Sequence, residues 1–239
     1  MKSSKNQNIL LAALPVEEQQ RLERYLTTVE LETREVLIEP DQTIRHVYFP
    51  EDLVTSTIQL MDDGSSVECG LMGVEGFIGV QLWLHETSTP AATLVQIPGR
   101  ARRMSAHDFV QQIRDRDTPL NGILARYVHS FLVMTSQVAA CNRLHSLDMR
   151  LCRWLSMISN RIKRDVFPMS HDYMAQMLGV RRPTVSTTAK ILQHAGLIDY
   201  ERGLMRILDR EGLRNGACEC YRIIEAQVDR FAGTNWSKR

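Results

Sequence analysis

The sequence predicts a mixed α+β chain in three successive parts: a small N-terminal β-barrel of the jelly-roll kind, a long helix, and a C-terminal head built on a winged helix-turn-helix. Three observations carry this. Between Val29 and Met104 short β-branched runs alternate with turn clusters. From Thr118 the apolar spacing becomes helical and holds to His145. Between Ser170 and Leu192, small, apolar and glycine positions fall where two crossing helices and a tight turn need them.

Composition bounds what such a chain can be. With 239 residues, 44% of them hydrophobic, it can build one large domain or two modest ones. A formal charge of +1 hides an asymmetry, because eight Lys/Arg face four Asp/Glu between Arg161 and Arg206, a local net of about +4. That excess suits a polyanionic partner, and equally a solvated basic face. Met1 to Asn8 is polar, the apolar run Ile9 to Leu14 is too short for a signal core, and no span reaches membrane length. Five cysteines, Cys69, Cys141, Cys152, Cys218 and Cys220, lack CxxC spacing. They fit a reducing compartment better than a disulfide framework, so a cytoplasmic location without membrane partners is expected and no metal site is assigned.

The elements follow in order. Apolar residues at helical spacing from Ile9 to Leu26, with Pro15 at a helix start and Glu17 and Glu18 in the first turn, predict one or two short helices. Strands are expected at Glu35-Val-Leu-Ile, His46-Val-Tyr-Phe, Val54-Thr-Ser-Thr-Ile, Val67-Glu-Cys-Gly-Leu and Ala92-Thr-Leu-Val-Gln-Ile. Pro40-Asp, Pro50-Glu-Asp, Asp62-Asp-Gly-Ser-Ser and Pro98-Gly break them, as in a sandwich or barrel. Thr118 then offers an N-cap and Pro119 a first helical residue. Leu120, Leu124, Tyr127, Phe131, Met134, Val138, Cys141 and His145 alternate spacings of four and three over roughly 38 Å, which reads as the seam of a two-stranded dimer contact. The competing reading is a helix buried against its own domain. A second amphipathic helix, with Leu147, Leu151, Leu155 and Ile158 on one face, leads into the head.

In the head, Ala175 is small where helices cross, Gly179 supplies a positive φ for the turn, Met174, Leu178 and Val185 face inward, and Pro183 sits in the first turn of the second helix. The outer face then shows Arg181, Arg182, Thr184, Ser186, Thr187 and Lys190, donors able to meet base edges or phosphates. Ala195 to Asp209 holds two short apolar runs joined around Glu201-Arg202-Gly203, a wing whose tip offers Arg202. Such a head is expected to bind double-stranded DNA.

This arrangement resembles the Crp/Fnr family of bacterial transcription regulators over nearly the full chain. Its carriers are Val47-Tyr-Phe-Pro, Gly76-Phe-Ile-Gly79, Leu147-Asp-Met-Arg-Leu-Cys-Arg-Trp-Leu and the Ser170 to Leu192 motif. The resemblance implies a cyclic-nucleotide-binding-like barrel at 1–116, a dimerisation helix at 117–146, a winged helix-turn-helix at 147–209 and a helical tail at 210–239. It also implies a homodimer on a near-palindromic site, its reading helices about 34 Å apart, in contact with RNA polymerase if it activates.

The chain departs from that pattern in two places. Where nucleotide-binding members carry a Glu for the ribose and an Arg-Ser pair for the cyclic phosphate, it has Val80 and Pro90-Ala91. None of these can grip a phosphate or accept from a ribose hydroxyl, so binding of cyclic AMP in the family's manner is not expected. In the reading helix, Pro183 and Thr187 replace the Glu and Arg of the best-known members, which implies a different operator. Arg182 and Ser186 stay as base readers, Arg181 and Lys190 as phosphate contacts. No cysteine precedes Cys69, which speaks against the family's N-terminal iron-sulfur cluster. Cys69 and His85 offer haem ligands in principle, as in the carbon-monoxide-sensing branch, although Cys69 lies in an apolar strand pattern and reads as a packed thiol. No cofactor is assigned, and haem or another small effector stays open. Cys218-Glu-Cys220 is a candidate oxidant sensor but reads as an ordinary structural pair, since one intervening residue sends helical side chains to different faces.

Two other functions compete with DNA binding. An enzyme is disfavoured because nucleophile, base and orienter form no recognised motif, and His171-Asp172 lies at a helix start where an acid serves the dipole. An effector-binding module acting through protein contacts rather than DNA is the alternative, against which Arg181, Arg182 and Lys190 on one face speak.

Overall fold

The computed structural model describes residues 8–162 and 164–232. Met1 to Gln7 of the polar leader, Lys163 of the basic segment and Gly233 to Arg239 of the expected tail lie outside the described residues.

Two short helices open the chain, α1 (Ile9–Ala12) and α2 (Val16–Glu23). Asn8 caps α1 and is itself fully buried, its amide donating to the carbonyls of Pro50 and Gly76 at 2.9 and 2.8 Å, which moors the opening segment to the barrel. Strands β1 (Thr27–Leu31), β2 (Val36–Ile38), β3 (His46–Pro50), β4 (Val54–Leu60) and β5 (Ser66–Met72) follow, then α3 (Val80–Trp83), β6 (Ala92–Ile97), β7 (Gly99–Ser105) and α4 (Ala106–Gln112). They form two antiparallel sheets, one ordered β1-β7-β3 and the other β2-β6-β4-β5. The expected strands are all present, and β1 and β7 are additions. β7 escapes a pattern reading because Arg102 occupies an inward position, 4% exposed, where it pairs with Glu23 at 2.8 Å.

The long helix α5 (Pro119–Leu144) starts as its sequence predicts, with Thr118 as cap and Pro119 in the first turn. The expected dimer seam on it is corrected. Leu120, Leu124, Tyr127, Met134, Val138 and Cys141 are at most 5% exposed and Phe131 is half-buried, all within a single chain. Their partners are β5 and the last helix, α10 below, so the apolar stripe is consumed by this chain's own core. Tyr127 stands between Phe77 and Phe231, at 5.3 and 5.9 Å between ring centroids. A Cβ at Gly76 would lie 2.6 Å from the Tyr127 hydroxyl, so only glycine lets the segment after β5 approach the ring. The face of α5 left open carries Gly122, Ala125, His129, Leu132, Ser136, Ala139 and Arg143, again at spacings of three and four.

The head comprises α6 (Leu147–Ile162), β8 (Val166–Pro168), α7 (His171–Leu178), α8 (Arg182–His194), β9 (Ile198–Glu201), β10 (Leu204–Ile207), α9 (Arg210–Gly216) and α10 (Glu219–Ala232). One apolar cluster joins Val54, Ile58, Leu71 and Ile97 of the barrel to Leu151, Trp154, Leu155 and Ile158 of α6. Although its sequence reads as one-sided, α6 is buried all round from Arg150 to Ile162, because barrel and head enclose it from both sides. Part of its polar face is paired internally, while the Ser156 and Ser159 hydroxyls are buried without a hydrogen-bond partner among the described residues. Trp154 donates to Glu68 at 3.1 Å, Asn160 to Glu225 at 2.8 Å, and Arg161 contacts Glu75 at 2.6 Å and Glu225 at 3.0 Å.

Arg161→Met leaves two carboxylates buried without their cation, and denaturant unfolding is expected to show a loss of about 3–5 kcal/mol; an unchanged midpoint would discard the pairing as a structural constraint. Burial pushes the Glu68 carboxyl above its ordinary pKa against the donors Ser56 and Trp154, so the folded chain holds this proton more tightly than the unfolded one. Its contribution to stability is thus complete at acid pH and is lost as pH rises through the raised value. Glu68→Gln should match the wild type in acid and become the relatively more stable protein as pH climbs, as read from unfolding midpoints across a pH series.

Candidate nucleic-acid interface

Ser170 caps α7, its hydroxyl accepting from the Tyr173 amide at 3.1 Å, and Asp172 lies in the first turn as an acid placed for the helix dipole. Gly179 ends α7 with φ of 62°, the left-handed conformation the tight turn needs, and α8 begins at Arg182. Val185, Ala189 and Leu192 turn inward, and all three are at most 5% exposed. Opposite them Arg181, Arg182, Thr184, Thr187 and Lys190 are exposed, as expected. Arg182 rests 3.4 Å from Asp172, an exposed pair that holds the guanidinium loosely. The Thr187 hydroxyl donates to the Pro183 carbonyl at 3.1 Å.

Ser186 departs from expectation. It is half-buried, and its hydroxyl is hydrogen-bonded to Nδ1 of His171 at 2.9 Å, so it is not a free donor on the open face. The His171 ring stacks on Tyr200 of β9 with centroids 4.1 Å apart and planes 16° from parallel. Burial, together with the nearby charges of Arg182 and Lys190, holds this imidazole below its usual pKa and favours its neutral form. Serine, histidine and tyrosine thereby fasten both motif helices to the wing. Nothing in the sequence pointed to this trio, because its members belong to three separate elements and no local spacing joins them.

The wing is a hairpin of β9 and β10, with β8 on the other side of β10. Arg202 and Gly203 at its tip have φ of 49° and 82°, which fits the two-residue turn whose backbone twist matches paired strands. The Arg202 side chain is 90% exposed. Arg206 of β10 is a further exposed cation on the same sheet, hidden from sequence reasoning by its place inside an apolar run.

The turn side of the head faces the barrel. Val67 lies 3.1 Å from the place a Cβ on Gly179 would occupy, and Arg34 stands over the Tyr173 ring. Between the β4–β5 hairpin and the motif turn opens a cleft of about 770 Å³, lined among others by Met61, Ser65, Arg150, Gln176 and Arg181. Of the positions tied to nucleotide binding by resemblance, Val80 is buried in the barrel core and Pro90 is exposed in a loop. The Cys69 thiol sits near the Val67 carbonyl, and His85 contacts Arg116. No helix among the described residues is long and apolar enough to cross a membrane.

Residues 149–215 match the family described as the Crp-like helix-turn-helix domain. No curated protein matches the chain by sequence. Among solved structures, FixK2 from Bradyrhizobium japonicum is similar with a TM-score of 0.67 at 16% identity, covering 81% of this chain and 98% of that one. CLP of Xanthomonas campestris, described as a c-di-GMP responsive global regulator, has a TM-score of 0.63 at 16% identity, covering 82% and 100%. A transcriptional regulator of the Crp/Fnr family, so described, from Eubacterium rectale has a TM-score of 0.62 at 15% identity, covering 87% and 96%. At such identities the likeness is one of fold. The chain thus carries a Crp-like helix-turn-helix domain at residues 149–215 on the fold of Crp/Fnr transcriptional regulators.

Proposed function

We propose that this chain is a sequence-specific DNA-binding transcription regulator, without catalytic activity, that works in the cytoplasm as a homodimer on a near-palindromic operator. The observation that supports it best is the open face of α8, where Arg181, Arg182, Thr184, Thr187 and Lys190 project beside the wing arginine Arg202. Arg182 is the base reader, since a guanidinium fits the paired acceptors of guanine in the major groove. Arg181, Lys190 and Arg202 hold phosphates. Ser186 serves by positioning the head. As an activator, the protein would also touch RNA polymerase.

The dimer is assigned to the outer face of α5. Gly122, Ala125, Ser136 and Ala139 let a second helix come close, and Leu132, 59% exposed, gives it an apolar contact. An effector, where one exists, acts by biasing the docking of head on barrel, and the cleft above Arg181 is where a small ligand touches both. Cyclic AMP does not suit a barrel with Val80 and Pro90 at the ribose and phosphate positions. The solved relative described as c-di-GMP responsive suits the view that effectors differ on this fold.

Selection of bound sites from a random DNA pool, with and without small-molecule extracts, tests the proposal; recovery of no enriched motif would favour action through protein contacts. Arg182→Ala is expected to cost about 1–3 kcal/mol at the selected operator and to relax its sequence preference. An unchanged profile removes Arg182 from the readers. Leu132→Asp should yield monomers in sedimentation without loss of helicity, and a persistent dimer would rule out this face.

A further inference from the structure

Four metal-ligating side chains converge where α5 ends and α10 begins. Cys141 and His145 are one helical turn apart, Cys218 immediately precedes α10 and Cys220 is its second residue. Because Cys218 lies outside the helix, the argument that a C-x-C pair points to different helix faces does not hold here. The two Sγ atoms of Cys141 and Cys218 are 3.5 Å apart, Cys220 Sγ is 3.5 Å from Nδ1 of His145, and all four ligand atoms lie within 4.8 Å of one another. A zinc ion with bonds of about 2.3 Å to sulfur and 2.0–2.1 Å to nitrogen sets its tetrahedral ligands roughly 3.5–3.8 Å apart. The thiols already approximate that tetrahedron.

The surroundings match. The other ring nitrogen of His145 is 3.3 Å from Glu219, the carboxylate–histidine pairing that orients an imidazole on a metal. Gln137 donates to Cys220 Sγ at 3.2 Å, and the buried Arg153 lies beside Cys141. Three thiolates around a divalent ion leave one net negative charge, which Arg153 offsets. The cysteines are at most 4% exposed, so solvent does not compete for the ion from their side. Thiolates exclude calcium and magnesium. An iron–sulfur cluster must house several atoms between its ligands, whereas these ligands span the edges of a single-ion tetrahedron.

We infer that Cys141, His145, Cys218 and Cys220 form a three-thiolate, one-imidazole site for a single zinc-class divalent ion. The ion pins the start of α10 to the end of α5, next to the short link into α6, and binds with release of the thiol protons. It is independent of the DNA-binding reading.

The test is the metal content of full-length protein purified under reducing conditions, paired with Co(II) titration of the chelator-stripped protein. About one zinc per chain is expected, with the intense visible bands of tetrahedral, thiolate-bound cobalt. Cys220→Ser and Cys141→Ser should bring the metal content close to zero, while Cys69→Ser, on β5 outside the cluster, keeps it. Circular dichroism checks that the variants fold, and the cobalt spectrum of the wild type needs no variant. A reduced protein that holds no stoichiometric metal and leaves cobalt with its pale aqueous spectrum overturns the site. So does iron with acid-labile sulfide, or a Cys141–Cys218 disulfide found by mass spectrometry in place of metal.

Discussion

Arg161 is the point on which the rest of the structure depends. It projects from α6, is 2% exposed, and is held between Glu75 at a barrel corner and Glu225 of α10. One guanidinium therefore joins three parts that are far apart in sequence. Its approach needs Gly73, where a Cβ would stand 2.8 Å from the arginine's own side chain. Burial alone would neutralise a cation, but two carboxylates at hydrogen-bond distance reverse that, and its pKa rises instead. Such a group adds little net stability over an apolar packing, yet any other arrangement of barrel, helix and tail strands it unpaired. It acts through specificity of docking.

This explains why the fold was legible in class but not in its contacts. Strand periodicity and proline–glycine punctuation placed β2 to β6 correctly, because those segments alternate or run apolar against a core. β7 hid behind Arg100, Arg102 and Arg103, one of which is an internal partner rather than a solvated charge. The polar side of α6 looked like a surface for the same reason. Ser156, Ser159, Asn160 and Arg161 are each at most 3% exposed. Pattern reading assigns polar residues to water, and it fails where a second layer covers them and, for Asn160 and Arg161, brings partners from elsewhere.

The long helix shows the converse error. Its heptad-like apolar stripe was genuine, but periodicity states only that a face is covered, not by what. Here β5 and α10 cover it, and the second stripe, made of small and mixed residues, remains open. In the reading head local rules were enough for Asp172, Gly179, Pro183 and the exposed cations, since first-turn acids and turns are fixed within a few residues. They were not enough for Ser186, whose hydroxyl is taken by His171, nor for Tyr200 behind it. Cys141, His145, Cys218 and Cys220 went unread as a group because more than seventy residues separate their two halves.

These features constrain how a signal could move through the chain. α6 is enclosed on both sides, so the head cannot swing as a free body without breaking the Glu68–Trp154 and Glu75–Arg161 contacts and exposing the apolar cluster around Leu151 and Ile158. Allosteric coupling is typically worth about 1–3 kcal/mol, a scale that suits a choice between closely related dockings rather than release of the head. The adjustable places are then those where the two parts meet with little packing: the cleft at Ser65 and Arg181, and the link from α5 to α6 beside the cysteine cluster. The cleft borders the motif turn at Gly179 to Arg181, and the link runs into α6, which packs on α8, so both adjoin the elements that position Arg182.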